Sequence, residues 1–343
     1  MNIERAIELQ ERAWGFQAEG RLGDARQTCT EALRLMEESE GPDSPDVANL
    51  LNDLADIEID RQDFRAALVS AKRAMEIEAP TQIRARTSEL LGTLYRTLGD
   101  YARAESHLKQ ALAMSESAED LVRARNNLGV LYKYWGRFED GMRLYREALE
   151  STEEESLARA TIYHNIGGIL FAQGNFAGAE EPARKAWEIS RRLLGEDNPQ
   201  TMLDAAAYAG VLDGLEKYEQ SEVIYRRALG IFEKTYGPEH YEVAANLHGL
   251  GVVLAVRGAL QEAEEHYRRA LAIQEKLLGT DSPDAALTRH NLGNMLNRTG
   301  RVTEAVPLLE SAVAVLEKRL TPGHPYLTLA RANLQNASRS FAG

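Results

Sequence analysis

Three histidines lie at multiples of 42 residues in the second half of the chain. His164, His248 and His290 are 84 and 42 residues apart. Their regular spacing suggests a metal site, because neutral imidazole is a common zinc ligand. Zinc, however, requires four ligands, or three with one open position, and no cysteine lies near these histidines in the sequence. We therefore predict no metal, and favour hydrogen bonding to a bound peptide or plain solvation.

Other patterns that carry chemistry are absent from the sequence. It contains no dinucleotide-binding GxGxxG, no phosphate-binding loop, no GxSxG and no HExxH. The single cysteine, Cys29, excludes an intrachain disulfide framework and is typical of a reducing compartment. Its place in the pattern described next predicts a buried thiol rather than a nucleophile. We predict a non-enzymatic protein without a cofactor.

An internal repeat organises the chain. A segment that begins at Asn291 has small residues at Gly293, Gly300, Ala305 and Ala312. This arrangement recurs in eight copies, with 37 to 42 residues between successive copies. The first small residue, or anchor, of each copy is Ala13, Ala55, Gly92, Gly129, Gly167, Ala209, Gly251 and Gly293. Self-similarity at such a period is typical of a repeat architecture.

Each copy is predicted to form two helices. Apolar and small residues follow the i, i+3, i+4, i+7 pattern, as in Leu247, Leu250, Gly251 and Leu254, and strand-like alternation is absent. A glycine seven residues after the anchor suits the turn that ends the first helix, and small residues let two helices approach closely. The sequence therefore predicts an all-α chain.

This pattern resembles the tetratricopeptide repeat (TPR). That family has small residues at repeat positions 8, 20 and 27 and aromatic residues near 11 and 24. Here Tyr95 and Tyr132 lie at position 11, and Tyr225 and Tyr267 lie at position 24. The resemblance implies a right-handed α-solenoid (superhelix) of eight TPR helical hairpins, a single array over residues 1–343. A capping helix at 326–341 is expected to cover the last hairpin.

The copies that are 42 residues long are also similar to the repeats of kinesin light chain. Asp281, Ser282 and Pro283, and the pair His324 and Pro325, lie in loops between repeats, where that family has a His-Pro pair. Three spacings of 37 or 38 residues depart from this length, so the similarity applies to the second half of the chain.

One face of each first helix is predicted to meet a partner. At 100° per residue, repeat positions 2, 5, 6, 9, 12 and 13 lie opposite the buried stripe. In tetratricopeptide arrays this side lines the concave groove. The predicted partner-binding residues on it are Arg86, Arg96, Arg123, Asn126, Asn127, Lys133, Tyr134, His164, Asn165, His248, His290, Asn291 and Asn294.

The asparagines on this face suggest a role in binding main chain. Asparagine is a poor helix former, and its amide can donate to and accept from a peptide at once. We predict that Asn127, Asn165, Asn291 and Asn294 contact a peptide backbone. The alternative is that the asparagines bond adjacent helices within the stack.

The cations Arg86, Arg96, Arg123 and Lys133 suggest an acidic ligand, because guanidinium groups bind carboxylates through paired hydrogen bonds. Internal pairing with Glu89, Asp53 or Asp56 is a nearly even alternative. Repeats 6 and 7 instead present small or apolar residues that would accept an apolar side chain: Ala206, Ala207, Gly210, Ala245, Gly249, Val252 and Ala255.

Charge and hydropathy exclude further classes. The net charge of −13 argues against general affinity for nucleic acid or an anionic membrane. Residues 1–80 hold 18 acidic and 9 basic residues, a balance of −9, which leaves −4 for the other 263. The longest apolar run, Leu250 to Val256, is far shorter than the roughly 20 residues of a spanning helix. The N-terminus lacks the regions of a signal peptide, so we expect a cytoplasmic protein.

These observations together predict a protein–protein interaction scaffold or adaptor that binds a peptide segment of another protein in its concave groove. One alternative is a structural scaffold that self-associates into a homo-oligomer, with its acidic end against the cations of a second copy. Another is a peptide-sensing regulator of a separate effector protein.

Overall fold

The chain folds into consecutive antiparallel helix pairs. The computed structural model describes residues 2–342, and within that range it contains seventeen α-helices and no strand. They are α1 (Asn2–Ala18), α2 (Leu22–Glu40), α3 (Pro45–Asp60), α4 (Phe64–Glu76), α5 (Thr81–Thr97), α6 (Tyr101–Met114), α7 (Ala118–Trp135), α8 (Phe138–Leu149), α9 (Leu157–Ala172), α10 (Phe176–Leu194), α11 (Pro199–Gly214), α12 (Tyr218–Tyr236), α13 (Tyr241–Val256), α14 (Leu260–Leu278), α15 (Pro283–Arg298), α16 (Val302–Arg319) and α17 (Pro325–Ala342). The predicted all-α fold of eight hairpins and a final helix is confirmed.

Contacts between the helices divide the chain into two units, Met1–Leu128 and Gly129–Gly343. Repeats 1 to 3 belong to the first unit, and repeats 5 to 8 with α17 belong to the second. The boundary falls within α7, the first helix of repeat 4. The single array over residues 1–343 therefore stays a prediction.

The turn inside a hairpin requires a left-handed backbone. Among repeats 2 to 8, glycine supplies this conformation in five. The φ angle is near +80° at Gly99, Gly136, Gly174, Gly258 and Gly300. Repeats 2 and 6 have Gln62 and Glu216 at the equivalent position, with φ of 61° and 60°. A residue with a Cβ pays about 1–2 kcal/mol for this conformation, which glycine adopts without that cost.

Serine and proline start several first helices. The Ser44 hydroxyl accepts a hydrogen bond from the Val47 amide at 3.3 Å, and Pro45 occupies the first helical position. Ser282 and Pro283 repeat the arrangement at α15. The serine oxygen accepts a hydrogen bond from an amide that has no partner within the helix. Proline has no amide hydrogen, so its position in the first turn leaves no donor unpaired.

Histidine takes the capping role in two other helices. His240 Nδ1 accepts from the Glu242 amide at the start of α13, and His324 Nδ1 accepts from the Tyr326 amide at the start of α17, both at 3.2 Å. A nitrogen that accepts must be unprotonated, and burial lowers the pKa of both imidazoles to about 4. The His-Pro pair at 324 and 325 is thus a helix start.

Glycine at the anchor lets the two helices of a hairpin meet. A Cβ added to Gly251 would lie 2.9 Å from the ring of Tyr267, which is 2 % exposed. A Cβ on Gly293 would lie equally close to Leu309. The large side chain of the second helix therefore fills the space that the anchor leaves empty, which is the packing predicted for the small positions.

Within the second unit, the turn after α7 touches the loop before α17. A Cβ on Gly136 would lie 2.8 Å from His324 Cδ2 and 2.9 Å from Thr321 Oγ1. The rings of Phe138 and His324 have centroids 5.6 Å apart. The contact brings the end of the first helix of repeat 4 to the start of the last helix.

Because Glu216 has a left-handed backbone, we predict opposite effects for two substitutions by glycine. Glu216→Gly should raise the free energy of unfolding by about 0.5–1 kcal/mol, because it relieves the turn at the cost of a more flexible unfolded chain. Glu219→Gly, in the first turn of α12, should lower it by a similar amount. Chemical denaturation followed by circular dichroism measures both, and equal destabilisation by the two variants would contradict the account.

Candidate partner-binding face

Hydrogen bonds link several first helices of the second unit to the next first helix. His248 Nε2 lies 3.2 Å from Asn291 Nδ2, and its Nδ1 lies 2.8 Å from Thr288 Oγ1. Since the amide must donate, Nε2 accepts, and Nδ1 carries the proton that it donates to the hydroxyl. Burial, and then nearby His290, lower the pKa of His248 to about 4, so this neutral tautomer persists at physiological pH.

The same arrangement recurs at other steps of the array. Asn333 Nδ2 lies 2.8 Å from His290 Nε2, one repeat later, and His164 Nδ1 lies 2.8 Å from Asp204 Oδ1. In the first unit, Gln10 donates to Asp53 at 2.5 Å. In these steps the residue at position 5 of one repeat bonds a residue at position 6 or position 3 of the next repeat. We call this series of hydrogen bonds the inter-repeat ladder.

The ladder uses several residues that the sequence predicted as ligand contacts. Asn291 bonds His248, as in the alternative of bonding within the stack. Asn165 and His290 are only 6 % and 4 % exposed. In contrast, the half-exposed amides of Asn127 and Asn294 have no side-chain hydrogen bond among the described residues. The ligand roles of these residues stay predictions.

The ladder is interrupted between repeats 6 and 7. Ala206 stands at position 5 and Gly249 at position 6, where the next two steps have a histidine and an asparagine. Asn246, at position 3, donates to the Tyr225 carbonyl at 2.8 Å, but its buried Oδ1 has no hydrogen-bond partner within residues 2–342. The small residues predicted here thus coincide with a gap in the inter-repeat bonding.

Asp213, on the same face of repeat 6, is a second polar residue with an oxygen that lacks a hydrogen-bond partner among the described residues. Tyr225 donates to its Oδ2 at 3.2 Å, while Oδ1 is buried and lacks a partner in the described part of the chain. Burial raises the pKa of Asp213 to about 7, although hydrogen bonds from Ser221 and Tyr225 oppose the shift.

The predicted cations of the first unit bind the chain's own carboxylates. Arg86 contacts Asp53 at 2.7 Å and Asp56 at 2.5 Å, and Arg123 contacts Glu89 at 2.8 Å. Internal pairing, the alternative drawn from the sequence, is therefore present at both arginines. Binding of an acidic ligand by these side chains stays a prediction.

The other predicted residues are half-exposed and already in contact with their surroundings. Arg96 and Asn126 take part in further interactions within the structure. Lys133 Nζ lies 4.9 Å from the ring centroid of Tyr134, a distance that permits a cation–π interaction. The same ammonium would lie 3.2 Å from a Cβ on Gly168, so it reaches the first helix of repeat 5.

Sequence reasoning missed one group of residues in the second unit, which we call the acid–tyrosine cluster: Tyr134, Tyr241, Glu242, Asp284 and Tyr326. Tyr241 donates to Asp284 Oδ2 at 2.9 Å. Asp284, burial and Tyr134, in that order, raise the pKa of Tyr241, and burial followed by Tyr134 raises that of Tyr326 to about 12.

A periodic signal for this cluster exists in the sequence. Glu242, Asp284 and Tyr326 are 42 residues apart, and Glu242 lies three residues, or one helical turn, before Ala245 at position 2. The predicted face began at position 2 and stopped short of this turn. Only Tyr134 was included among the predicted contacts.

Three further features concern metal ligation, the cysteine and membrane spans. In residues 2–342, no three His, Cys, Asp or Glu side chains converge as a metal ion would require. Cys29 is fully buried, and burial, then Asp53 and Glu58, raise the pKa of its thiol to about 12. Among the helices of this range, none combines the length and hydropathy needed to cross a membrane.

The repeats, the hairpin packing and the first-helix face define a tetratricopeptide repeat array. Family models described as tetratricopeptide repeat match residues 15–78, 83–154, 159–200, 202–276 and 242–318. The chain belongs to the tetratricopeptide repeat family. This fold is generally non-enzymatic and serves as a scaffold for protein–protein interaction.

One solved structure shows the same fold over nearly the whole chain, and two others are similar over part of it. A Rap protein complexed with competence and sporulation factor is 15 % identical, with a TM-score of 0.61 and 99 % coverage of both chains. BtubC (BKLC) from P. vanneervenii is 22 % identical over 65 % of this chain and 91 % of its own, with a TM-score of 0.46. TPR-like repeats of a Podosopora anserina kinesin light chain are 22 % identical over 60 % and 98 %, with a TM-score of 0.43.

Curated relatives match over shorter segments. Protein O-mannosyl-transferase TMTC1 of Homo sapiens is 28 % identical over 46 % of this chain, and Tonsoku-like protein of Danio rerio is 27 % identical over 35 %. The chain spans only 19 % and 8 % of the length of these two proteins.

The pairing of Arg86 predicts a structural role for this residue. Arg86→Ala should lower the free energy of unfolding of the first unit by about 2 kcal/mol, because it leaves the carboxylate of Asp53, 2 % exposed, without its cation. Arg65→Ala, an exposed control on α4, should change it by no more than about 0.5 kcal/mol. Urea denaturation of the two variants tests this prediction. An unchanged midpoint for Arg86→Ala would contradict a structural role for Arg86.

The raised pKa of Asp213 predicts a stability that depends on pH. An unfolded aspartate ionises near pH 4, so between about pH 4 and 7 the folded state holds a proton that the unfolded state loses, and stability falls as pH rises. Asp213→Asn should therefore stabilise the chain by about 1–3 kcal/mol at pH 8 and have little effect at pH 4. Calorimetry of this variant and of Asp281→Asn, an exposed control, measures the difference.

Proposed function

We propose that the chain is an adaptor whose second unit binds an extended peptide segment of a partner protein. The peptide lies in a groove on the first-helix face of repeats 5 to 8, formed by α9, α11, α13 and α15. The observation that carries this proposal is the gap in the ladder at Ala206, where small residues replace the polar residues of other steps, while Gly249 opposite it is buried against the Tyr225 ring.

The gap supplies room and hydrogen-bonding groups in one place. Ala206, Ala207 and Gly210 are half-exposed and Ala245 is exposed, so main chain can approach the helices closely there. The open amide of Asn294 on α15 can donate to and accept from a peptide backbone. Flanking residues bonded in the ladder are held rigidly, which lowers the entropy cost of binding.

The proposal does not depend on an acidic ligand. Arg86 and Arg123 already have carboxylate partners, and a ligand would have to replace those pairs. The peptide complex of the Rap protein supports binding of a peptide by a similar fold, but does not identify the ligand of this chain. A cytoplasmic location remains part of the proposal.

A peptide library tests the proposed face. Peptides of twelve random residues are selected on the immobilised chain, and the affinity of those enriched is measured by isothermal titration calorimetry. Ala245→Trp should weaken binding at least tenfold, because Ala245 is exposed on the first helix of repeat 7 and the indole occupies the groove. Val223→Trp, on α12, is the matched control, since Val223 is 69 % exposed on a second helix.

The result expected is loss of binding in Ala245→Trp with parental affinity in Val223→Trp, while circular dichroism shows both variants folded. Equal affinity for the parent and Ala245→Trp would place the ligand elsewhere. Failure to enrich any peptide would contradict peptide binding itself.

A further inference from the structure

An exposed apolar stripe runs along the first helix of the first unit. Among residues 2–128, four large apolar side chains are exposed, and three of them lie on α1: Ile3, Ile7 and Trp14, at 39 %, 45 % and 47 %. At 100° per residue these three side chains leave the helix within about 40° of one another. They span about 16 Å of the helix axis. We call them the α1 stripe.

The α1 stripe lies on the face that stacking between repeats leaves open. Ile7 and Trp14 stand at repeat positions 2 and 9, and no other repeat has an aromatic residue at either position. The contact of α1 with the next first helix uses another direction, since Gln17 at position 12 donates to Asp60 of α3 at 2.6 Å. The indole of Trp14 has no hydrogen bond or ring contact within the described range.

Carboxylates border the stripe on both sides. On one side, α1 itself carries Glu4, Glu8 and Glu11, all exposed. On the other side, α3 brings Asp56 and Asp60. The stripe is therefore an apolar strip between two acidic borders, in the part of the chain that holds most of the net negative charge.

One carboxylate on each border has no cation of its own chain. Glu11 makes no hydrogen bond or ion pair with any described residue, and Asp60 has only the neutral amide of Gln17 among those residues. Other border acids are paired, as Glu8 is with Arg5 at 2.9 Å. The negative charge that faces solvent beside the stripe is thus only partly compensated within the chain.

This pattern is complementary to an apolar segment with cations on both flanks. A helix about 10 Å wide presents such a pattern, because apolar side chains spaced i, i+4 and i+11 form one stripe with lysine or arginine beside it. An extended segment instead turns alternate side chains away from the surface. A second copy of this chain would bring a net charge of −13, of the same sign as the borders.

We propose that the α1 stripe and its acidic borders form a docking surface for a basic amphipathic helix of a partner protein. Trp14 is the apolar anchor, since tryptophan at the centre of an interface commonly contributes a large share of the binding energy. Glu11 and Asp60 are the counterions for the basic flanks. The surface belongs to the first unit and is independent of the peptide-binding face proposed for the second.

A peptide library tests this surface. Its fifteen-residue peptides have leucine fixed at the i, i+4 and i+11 positions and are random elsewhere, so the library imposes no charge. Peptides selected on the immobilised full chain are measured by fluorescence anisotropy. A class of them should bind at least tenfold more weakly to Trp14→Ala and with parental affinity to Val69→Ala, the matched control, whose valine is 68 % exposed on α4.

The charge of this class tests the chemistry of the occupant. Its sequences should contain more lysine and arginine, relative to aspartate and glutamate, than the starting library. The double variant Glu11→Gln with Asp60→Asn should weaken binding at least fivefold, whereas Glu31→Gln, an exposed control on α2, should not. The difference should shrink in 0.5 M sodium chloride, because salt screens exposed charges. Circular dichroism should show that the peptide gains helix on binding.

The outcomes separate this surface from the proposed function. Peptides that lose affinity in Ala245→Trp but not in Trp14→Ala would support the face of the second unit, and the absence of any Trp14-dependent peptide would overturn the docking surface. Trp14-dependent peptides without an excess of basic residues, or without helix when bound, would overturn the proposed occupant. A dimer of the parent in analytical ultracentrifugation that Trp14→Ala abolishes would assign the stripe to a second copy and overturn the proposal.

Discussion

The stacking of each first helix on the next is the constraint on which the rest of the structure depends. A hairpin buries only part of its apolar surface, and its neighbours must cover the remainder. Side chains at positions 3, 5 and 6 add directional bonds to this packing, as in Asn291 with His248 and Asn333 with His290. Because these bonds occupy several polar groups of the face, the positions outside them are the ones open to a ligand.

The interruption of the ladder at repeats 6 and 7 has a structural cost. Asn246 Oδ1 and Asp213 Oδ1 lie buried without partners, and an unsatisfied buried oxygen costs about 1–3 kcal/mol. Proteins place such costs disproportionately at functional sites. The gap and the open amide of Asn294 both lie on first helices of the second unit.

Much of the fold could be predicted from the sequence, because the repeat is a local and periodic signal. Small residues at fixed spacing identify the hairpins, and the helix at 326–341 is found at Pro325–Ala342. The partners of polar side chains are less predictable. Whether Arg86 faces a ligand or Asp53 depends on the rotation between neighbouring helices, which periodicity within one helix does not define. The cluster at Glu242 also requires Tyr134, more than a hundred residues away, to reach the start of α13.

The most direct test of the account is a crystal structure of the chain with a peptide enriched from the random library. The account predicts that the peptide lies across α11, α13 and α15 over Ala206 and Ala245. A peptide bound on the second helices would contradict the account.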